Sequence, residues 1–249
     1  VRQKKETVWL IQSLSTILYY PLGGVFIGLA LVPSVSILYL FWTHTYHWMP
    51  VWRVVVFSIL SGFGWFVFGF TLLIAIVALN RIFPVRLPEG TWPMSSDLLR
   101  WTYHNSCIAM ANYIFLKFLF LSPYIIWFFR GMGAKMGKRI QLNSGQLTDV
   151  YLIEIGDDCV IGSEARIICH QMSRGCLTLK RVKIGNRVMI GIMSVICPGV
   201  EIGDGATIMP NSFVLKNTKI HPGTVWGGVP AVQIKRKPGK AERKEGGIP

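Results

Sequence analysis

An aliphatic residue returns every six positions through the second half of this chain. The series runs Met136 and Leu142, then Ile155, Ile161 and Ile167. It resumes at Ile184 and continues without a slip through Ile190, Ile196, Ile202, Ile208, Val214 and Ile220. Neither a helix, with period 3.6, nor an ordinary strand, with period 2, produces such spacing. The next residue is often Gly (Gly137, Gly156, Gly162, Gly185, Gly191, Gly203). The fourth residue on is small or slim: Cys159, Ala165, Val188, Ser194, Val200, Ala206, Ser212, Thr218, Thr224. This pattern predicts a prism of short parallel strands, with one hexad per face and three faces per coil. The aliphatic residue points inward and the slim residue fills the corner. Gly serves turns where a positive φ or close contact between coils penalises a side chain.

Two breaks interrupt the register. Leu142 to Ile155 is 13 residues, one more than two hexads, and Ile167 to Ile184 is 17. About eleven residues therefore leave the prism as a loop that begins near His170. An excursion from a repeating scaffold is where function is usually placed.

The first half is built for a different solvent. The whole chain is 51% hydrophobic and 15% charged, with mean hydropathy +0.44, which is greasier than a soluble norm. Thr7–Trp52 holds no charged residue and Val54–Leu79 is 26 residues without a formal charge, about 39 Å as helix against a core of about 30 Å. The expected organisation is a membrane domain over 1–130, with spans near 21–42 and 54–79 and interfacial helices near 8–20 and 95–130. A β-helix domain follows over 131–234, then a basic tail over 235–249. Ser95–Arg130 also has the alternative reading of a third span, which would export the prism.

Charge sets the orientation. Arg2, Lys4, Lys5, Arg81 and Arg86 flank the hairpin on one side, and the connecting Thr43–Arg53 holds a single Arg. The positive-inside rule then puts both hairpin ends, and the prism, on the cytoplasmic side of a bacterial or archaeal membrane. No small-residue cleavage site suits a signal peptide. Five Cys without CxxC spacing argue against a disulfide framework and for a reducing compartment. The net charge of +14 divides as nine basic and three acidic residues in 1–130 and 17 against nine in 131–249. The tail's Lys235, Arg236, Lys237, Lys240, Arg243 and Lys244 lack the aromatic interleaving of a nucleic-acid module. An anionic leaflet, worth about 1 kcal/mol per basic residue, is their simpler partner.

Several motifs in order carry a resemblance. Asp149-Val-Tyr-Leu-Ile-Glu-Ile-Gly-Asp-Asp-Cys159 precedes His170 at a strand end. Val182-Lys-Ile-Gly-Asn-Arg-Val-Met-Ile-Gly191, Pro198-Gly-Val-Glu-Ile-Gly-Asp-Gly205 and Gly228-Val-Pro-Ala231 follow. Over roughly 133–235 the chain resembles the hexapeptide-repeat acyltransferases. The resemblance implies a left-handed β-helix, a homotrimer with its active site between subunits, and acyl-CoA as cosubstrate, acetyl-CoA first, with no permanently bound cofactor. It places donor contacts at Ile192, Met193, Pro210, Ser212, Lys216, Gly228 and Pro230. Met189, Met209-Pro210 and Asn211 depart from that family's usual Trp, Gly-Ala and Gly. The apolar first half, joined through Gly131-Met-Gly-Ala-Lys-Met-Gly137, is similar to the membrane-bound C-terminal modules of poly-lysine-type peptide synthetases.

Acyl transfer from a thioester needs a base for the incoming hydroxyl or amine, and His is the natural one near neutral pH. His170 sits where the strand leaves the prism and where the family's catalytic His falls. Asp149 and Glu154 lie one coil earlier, as candidates to orient its ring. The resemblance puts Asn143 and Ser144 near an acceptor-binding Asn of the sugar acetyltransferases, and His104 is a candidate for contact with a membrane-delivered or lipid-linked acceptor. His44 and His47, three apart, find no third ligand nearby. The prism's two histidines, His170 and His221, cannot supply the three that a β-helix zinc hydratase uses, so no metal is expected. Three functions stay open: a membrane acyltransferase with His170 as base, a synthetase-like module making amide bonds from an aminoacyl carrier-protein thioester, and a non-catalytic trimeric scaffold.

Overall fold

The computed structural model describes residues 2–93 and 97–234, and the side chains of 2–16, 18–20 and 22 are not among them. The expected basic tail and the first two residues of the expected 95–130 segment lie outside the described residues. One helix, α1 (Arg2–His44), takes in both the expected interfacial segment near 8–20 and the first span, and runs through Pro21 and Pro33. A proline inside a helix costs one backbone hydrogen bond. α2 (Pro50–Ile82) starts with Pro50 in its first turn, where the missing N–H costs nothing. Arg53 closes the hairpin: its Nη2 donates to the Trp42 carbonyl at 2.6 Å and its guanidinium lies 3.8 Å from the Trp42 ring centroid.

The stretch 97–131 forms three short pieces: α3 (Asp97–Ile114), a 3-10 turn over Leu116–Leu119, and α4 (Pro123–Gly131). Its mixture of apolar and polar residues lets it lie between α2 and the prism. Among the described residues, two helical stretches are long and apolar enough to cross a membrane, Gly23–His44 and Pro50–Ile82. Phe115 is buried against α2 at Gly69, where an added Cβ would fall inside its ring.

The prism follows the hexad register. Its first face stacks Lys135–Met136, Ile153–Ile155, Val182–Ile184, Glu201–Ile202 and Lys219–Ile220 in parallel. The second stacks Gln141–Leu142, Val160–Ile161, Met189–Ile190, Thr207–Ile208 and Val225–Gly227, closed by antiparallel Val232–Ile234. The third stacks Arg166–Ile167, Val195–Ile196 and Phe213–Val214. Apart from the half-buried Met136, the second residue of each regular pair is inward and buried, from Leu142 and Ile161 to Val214 and Ile220. Each such side chain contributes roughly 1.5–3 kcal/mol.

The first register break now has an explanation. Leu147 bridges to Ile167 on the third face and is buried. It is the inward residue of that turn, five positions after Leu142 instead of six. The extra residues between it and Ile155 form a 3-10 turn over Val150–Leu152 behind Asp149. The hexad glycines also separate into one cause. Those following the inward residue are not at positive φ; a Cβ on Gly156 or Gly162 would stand 2.7 Å from backbone of the next coil. Left-handed backbone falls instead two residues after that glycine, at Asp158, Glu164, Arg187 and Met193.

Candidate active site

The second break is a hairpin rather than an open loop. His170–Ser173 pairs antiparallel with Cys176–Leu179, and that strand pairs in turn with Gly90–Pro93 from the link between α2 and α3. The excursion therefore supplies two of the three strands of a small sheet, with Cys176–Leu179 in the middle and the His170 strand at one edge. His170 opens its first strand directly after the inward Ile167 and the buried Cys169.

Asp149 is wholly buried at the prism corner with left-handed backbone, φ +52°, a conformation Asp tolerates better than most residues. Its Oδ2 lies 2.6 Å from Nδ1 of His170. The other oxygen, Oδ1, accepts from Nε1 of Trp101 at 2.6 Å and from Nδ2 of Asn105 at 2.8 Å. Asn105 returns the contact, its Oδ1 accepting the Asp149 N–H at 3.0 Å. The Trp101 ring meets the His170 ring edge to face at 5.0 Å, and Thr148 Oγ1 stands 3.5 Å from Nδ1. The His170 side chain keeps 26% of its surface exposed. An ionised carboxylate can only accept, so this pairing puts the proton on Nδ1 and leaves the Nε2 lone pair for a substrate.

The other expected orienting residue is elsewhere. Glu154 projects from the first face, where Lys135 Nζ at 2.8 Å and Arg181 Nη1 at 2.6 Å hold it. Those two donors, Lys135 first, hold its carboxyl below the usual range. Arg181 also reaches Glu89 through its backbone N–H at 2.6 Å. Glu154 thus ties the first face to the link after α2, and the structure gives it no bond to His170.

His104 is also relocated. It is fully buried in α3, with Nδ1 3.2 Å from Asn80 Nδ2 at the end of α2, and Tyr151 lies against its ring. Burial, helped by nearby Arg86 and opposed by Asp149, lowers its pKa to about 4. A ring sealed this way packs the junction and is out of an acceptor's reach. Ser144 is buried as well, donating to the Ala165 carbonyl at 2.7 Å and accepting from the Gln146 N–H. Its hydroxyl turns the corner. Asn143 is half-buried and its N–H bonds the Ile161 carbonyl.

The expected donor residues lie in the later coils. Ile192, Met193, Pro210, Gly228 and Pro230 stack on successive corners between the second and third faces, and all of them stand open: Ile192 is 48% and Met193 58% exposed. Ser212 sits behind them, buried, donating to the Met209 carbonyl at 2.6 Å. Lys216 is exposed on the neighbouring corner between the third and first faces. Ser212 is a corner filler that the structure keeps from a ligand; the others are accessible.

Trp101, Asn105 and Thr148 were not among the residues singled out from sequence. Trp101 and Asn105 had a usable signal: two N–H donors four apart on an amphipathic helix, which places them on one face. Interfacial aromatic and amide residues show the same pattern, so it pointed to lipid headgroups rather than to a carboxylate.

Comparison with known proteins gives this geometry its relatives. The profile of the family described as "Bacterial transferase hexapeptide (six repeats)" matches residues 181–216. "Putative acetyltransferase YvoF" of Bacillus subtilis is 30% identical over 142 residues, 54% of this chain and 81% of that protein. "Delta-poly-L-ornithine synthetase" of Acinetobacter baumannii is 26% identical over 156 residues, 63% of this chain and only 12% of the synthetase. A solved galactoside acetyltransferase in complex with coenzyme A aligns at 21% identity with a TM-score of 0.43, over 64% of this chain and 90% of that one.

Proposed function

Because the chain belongs to the bacterial hexapeptide-repeat transferase family, we propose that it is a membrane-anchored acyltransferase with His170 as general base. The observation that carries this reading is the 2.6 Å pairing of His170 Nδ1 with a wholly buried Asp149, while the ring stays partly open to a substrate. A base oriented through one nitrogen and free at the other is what acyl transfer requires. In the proposed step, His170 Nε2 takes the proton of the acceptor O–H or N–H as that atom bonds to the thioester carbonyl carbon. The C–S bond then breaks, and the proton passes to the departing thiolate.

The donor proposed is an acyl-CoA, acetyl-CoA first, lying along Ile192, Met193, Pro210, Gly228 and Pro230 with Lys216 as a point charge for a phosphate. A homotrimer would cover the outward apolar residues Met189, Val195 and Phe213 and complete the groove. The membrane reading is supported by exposure. Only 11% of the apolar window in α1 and 33% of that in α2 is buried, and Leu29, Val35, Tyr39, Phe63 and Phe66 face outward. A helix that is apolar all round and unburied belongs in lipid. The prism then lies on the cytoplasmic side, and the acceptor arrives from the bilayer as a lipid-linked hydroxyl or amine.

One observation favours a second reading. The 156 residues matched by the polyornithine synthetase exceed the length of the prism, so that likeness extends into the helical half. An amide-forming module fed by an aminoacyl carrier thioester would use the same base and the same proton path.

The test is acyl transfer by the full chain in detergent with vesicles of a bacterial total-lipid extract, followed as released thiol. Acetyl-CoA should be consumed, and His170→Ala should lower turnover by roughly a thousandfold. If acetyl-CoA neither binds nor stabilises the protein, while an aminoacyl carrier thioester is consumed, the second reading takes its place. If His170→Ala leaves turnover intact, the base is wrong.

A further inference from the structure

We infer that Trp101 and Asn105 of α3 are positioning residues for the transfer, fixing Asp149 so that it holds the His170 ring in one tautomer and one orientation. The inference rests on the reading of His170 as base and adds to it a role for the helical half of the chain. The prism itself contributes Asp149 and His170, yet it does not hold the carboxylate alone. Both side-chain donors to Oδ1 come from α3, at 2.6 and 2.8 Å, and Asn105 also caps the Asp149 backbone N–H at 3.0 Å. Asp149 sits on left-handed backbone at a coil break, where no neighbouring strand fixes it. Without these donors, a buried carboxylate oxygen would lack partners and the side chain would turn to find them. Trp101 adds its ring edge against the imidazole.

The arrangement couples the two halves. α3 packs on α2 through buried His104 and Asn80, and on the prism through Asn112, whose amide occupies the space a Cβ on Gly145 would need. The base is therefore aimed from a helix that rests on the proposed membrane hairpin.

Trp101→Phe keeps the ring edge and removes the N–H donor. Asn105→Asp keeps the shape and replaces the donor with an acceptor facing Asp149. Each should lower kcat about 10- to 100-fold, the scale of a misaimed group, with KM for acetyl-CoA unchanged within about twofold. Combined with His170→Ala, neither should reduce the residual rate further, because both act through that ring. Folding is checked separately by thermal unfolding. In histidine labelled with nitrogen-15, the His170 signals, assigned by their loss in His170→Ala, should show one tautomer in the wild type and a mixture in both variants. Normal kcat and a single tautomer in Trp101→Phe and Asn105→Asp, with His170→Ala inactive, would overturn this inference and leave the base reading standing. An additive loss on top of His170→Ala would also overturn it, since a merely structural role predicts that. An active His170→Ala sinks the base reading itself.

Discussion

Two corners of the same prism are finished to different degrees. At the His170 corner, Asp149 is wholly buried, both of its carboxylate oxygens have partners, and the strands around it are tied to the helical half. At the corner between the second and third faces, Ile192, Met193 and Val229 stand exposed. The first corner is completed by its own chain. The second is open surface, where the proposed donor and neighbouring subunit would sit. The contrast teaches where substitution should hurt: orientation at the closed corner acts on kcat, whereas contacts at the open corner act on binding.

Asp149→Asn is the sharpest way to break that contrast. It keeps the volume but offers an amide where Nδ1–H needs an acceptor, so the wrong tautomer is favoured. A loss of about a thousandfold in kcat is expected, by analogy with the wrong-tautomer effect in a catalytic triad, with KM for acetyl-CoA little changed. Equal losses in kcat from substitutions at Met193 or Pro210 would erase the distinction between the corners.

The closed corner should also reveal itself through pH. His104 titrates at about 4 in the folded chain and near 6.5 when unfolded. Between those values the unfolded state takes up a proton that the folded state refuses. Stability from this group is therefore complete above about pH 6.5 and is lost as pH falls towards 4, on the order of 3 kcal/mol in all. Thermal unfolding at pH 7, 5.5 and 4.5, compared with His104→Gln, isolates this contribution from that of the carboxylates. An identical pH dependence in both proteins would mean that the junction opens to solvent.

How much of this was legible follows from where each interaction lives. The inward residues from Ile184 to Ile220 repeat at fixed spacing, because each coil buries the same position, so the prism could be read residue by residue. Leu147 was hidden, since it serves the same inward role one position early. The excursion at His170 was visible as missing register, but its form was not. Its strand partner, Gly90–Pro93, lies some 80 residues away, and hydrophobic period says nothing about pairing at that distance. Asp149 and Glu154 were equal candidates on sequence because both occupy the coil before His170. What separates them is side-chain direction: Asp149 turns inward at a left-handed corner and Glu154 points out from a strand. Trp101 and Asn105 were invisible as site residues for the same reason, as a helix face acquires a meaning only when its neighbour is known.

At Lys216, which stands off the open corner on the edge between the third and first faces, the expected effect is smaller. Lys216 is exposed, and a single exposed charge meeting a phosphate contributes modestly. Lys216→Ala should raise KM for acetyl-CoA about 3- to 10-fold with kcat unchanged, and the difference should shrink as salt is raised. A fall in kcat without a change in KM would place Lys216 in the chemistry and blur the split between orientation and donor binding.

The smallest effect is expected at Glu154, which makes it a strict control. Its carboxylate takes Lys135 and Arg181 on a face whose outward residues alternate Lys135, Glu154, Lys183, Glu201, Lys219. Glu154→Gln removes the charge but not the shape, and Arg181 keeps Glu89. Pairs this near the surface are worth about 1 kcal/mol or less, so kcat should stay within about twofold of wild type. Asp149→Asn and Glu154→Gln are the same chemical change, five residues apart, on the same coil. If they differ a hundredfold or more in kcat, acidity near His170 is not what matters; alignment with its Nδ1 is. If they fall together, Arg181 and Glu89 must carry Glu154's influence to the hairpin, and the closed corner extends across the first face.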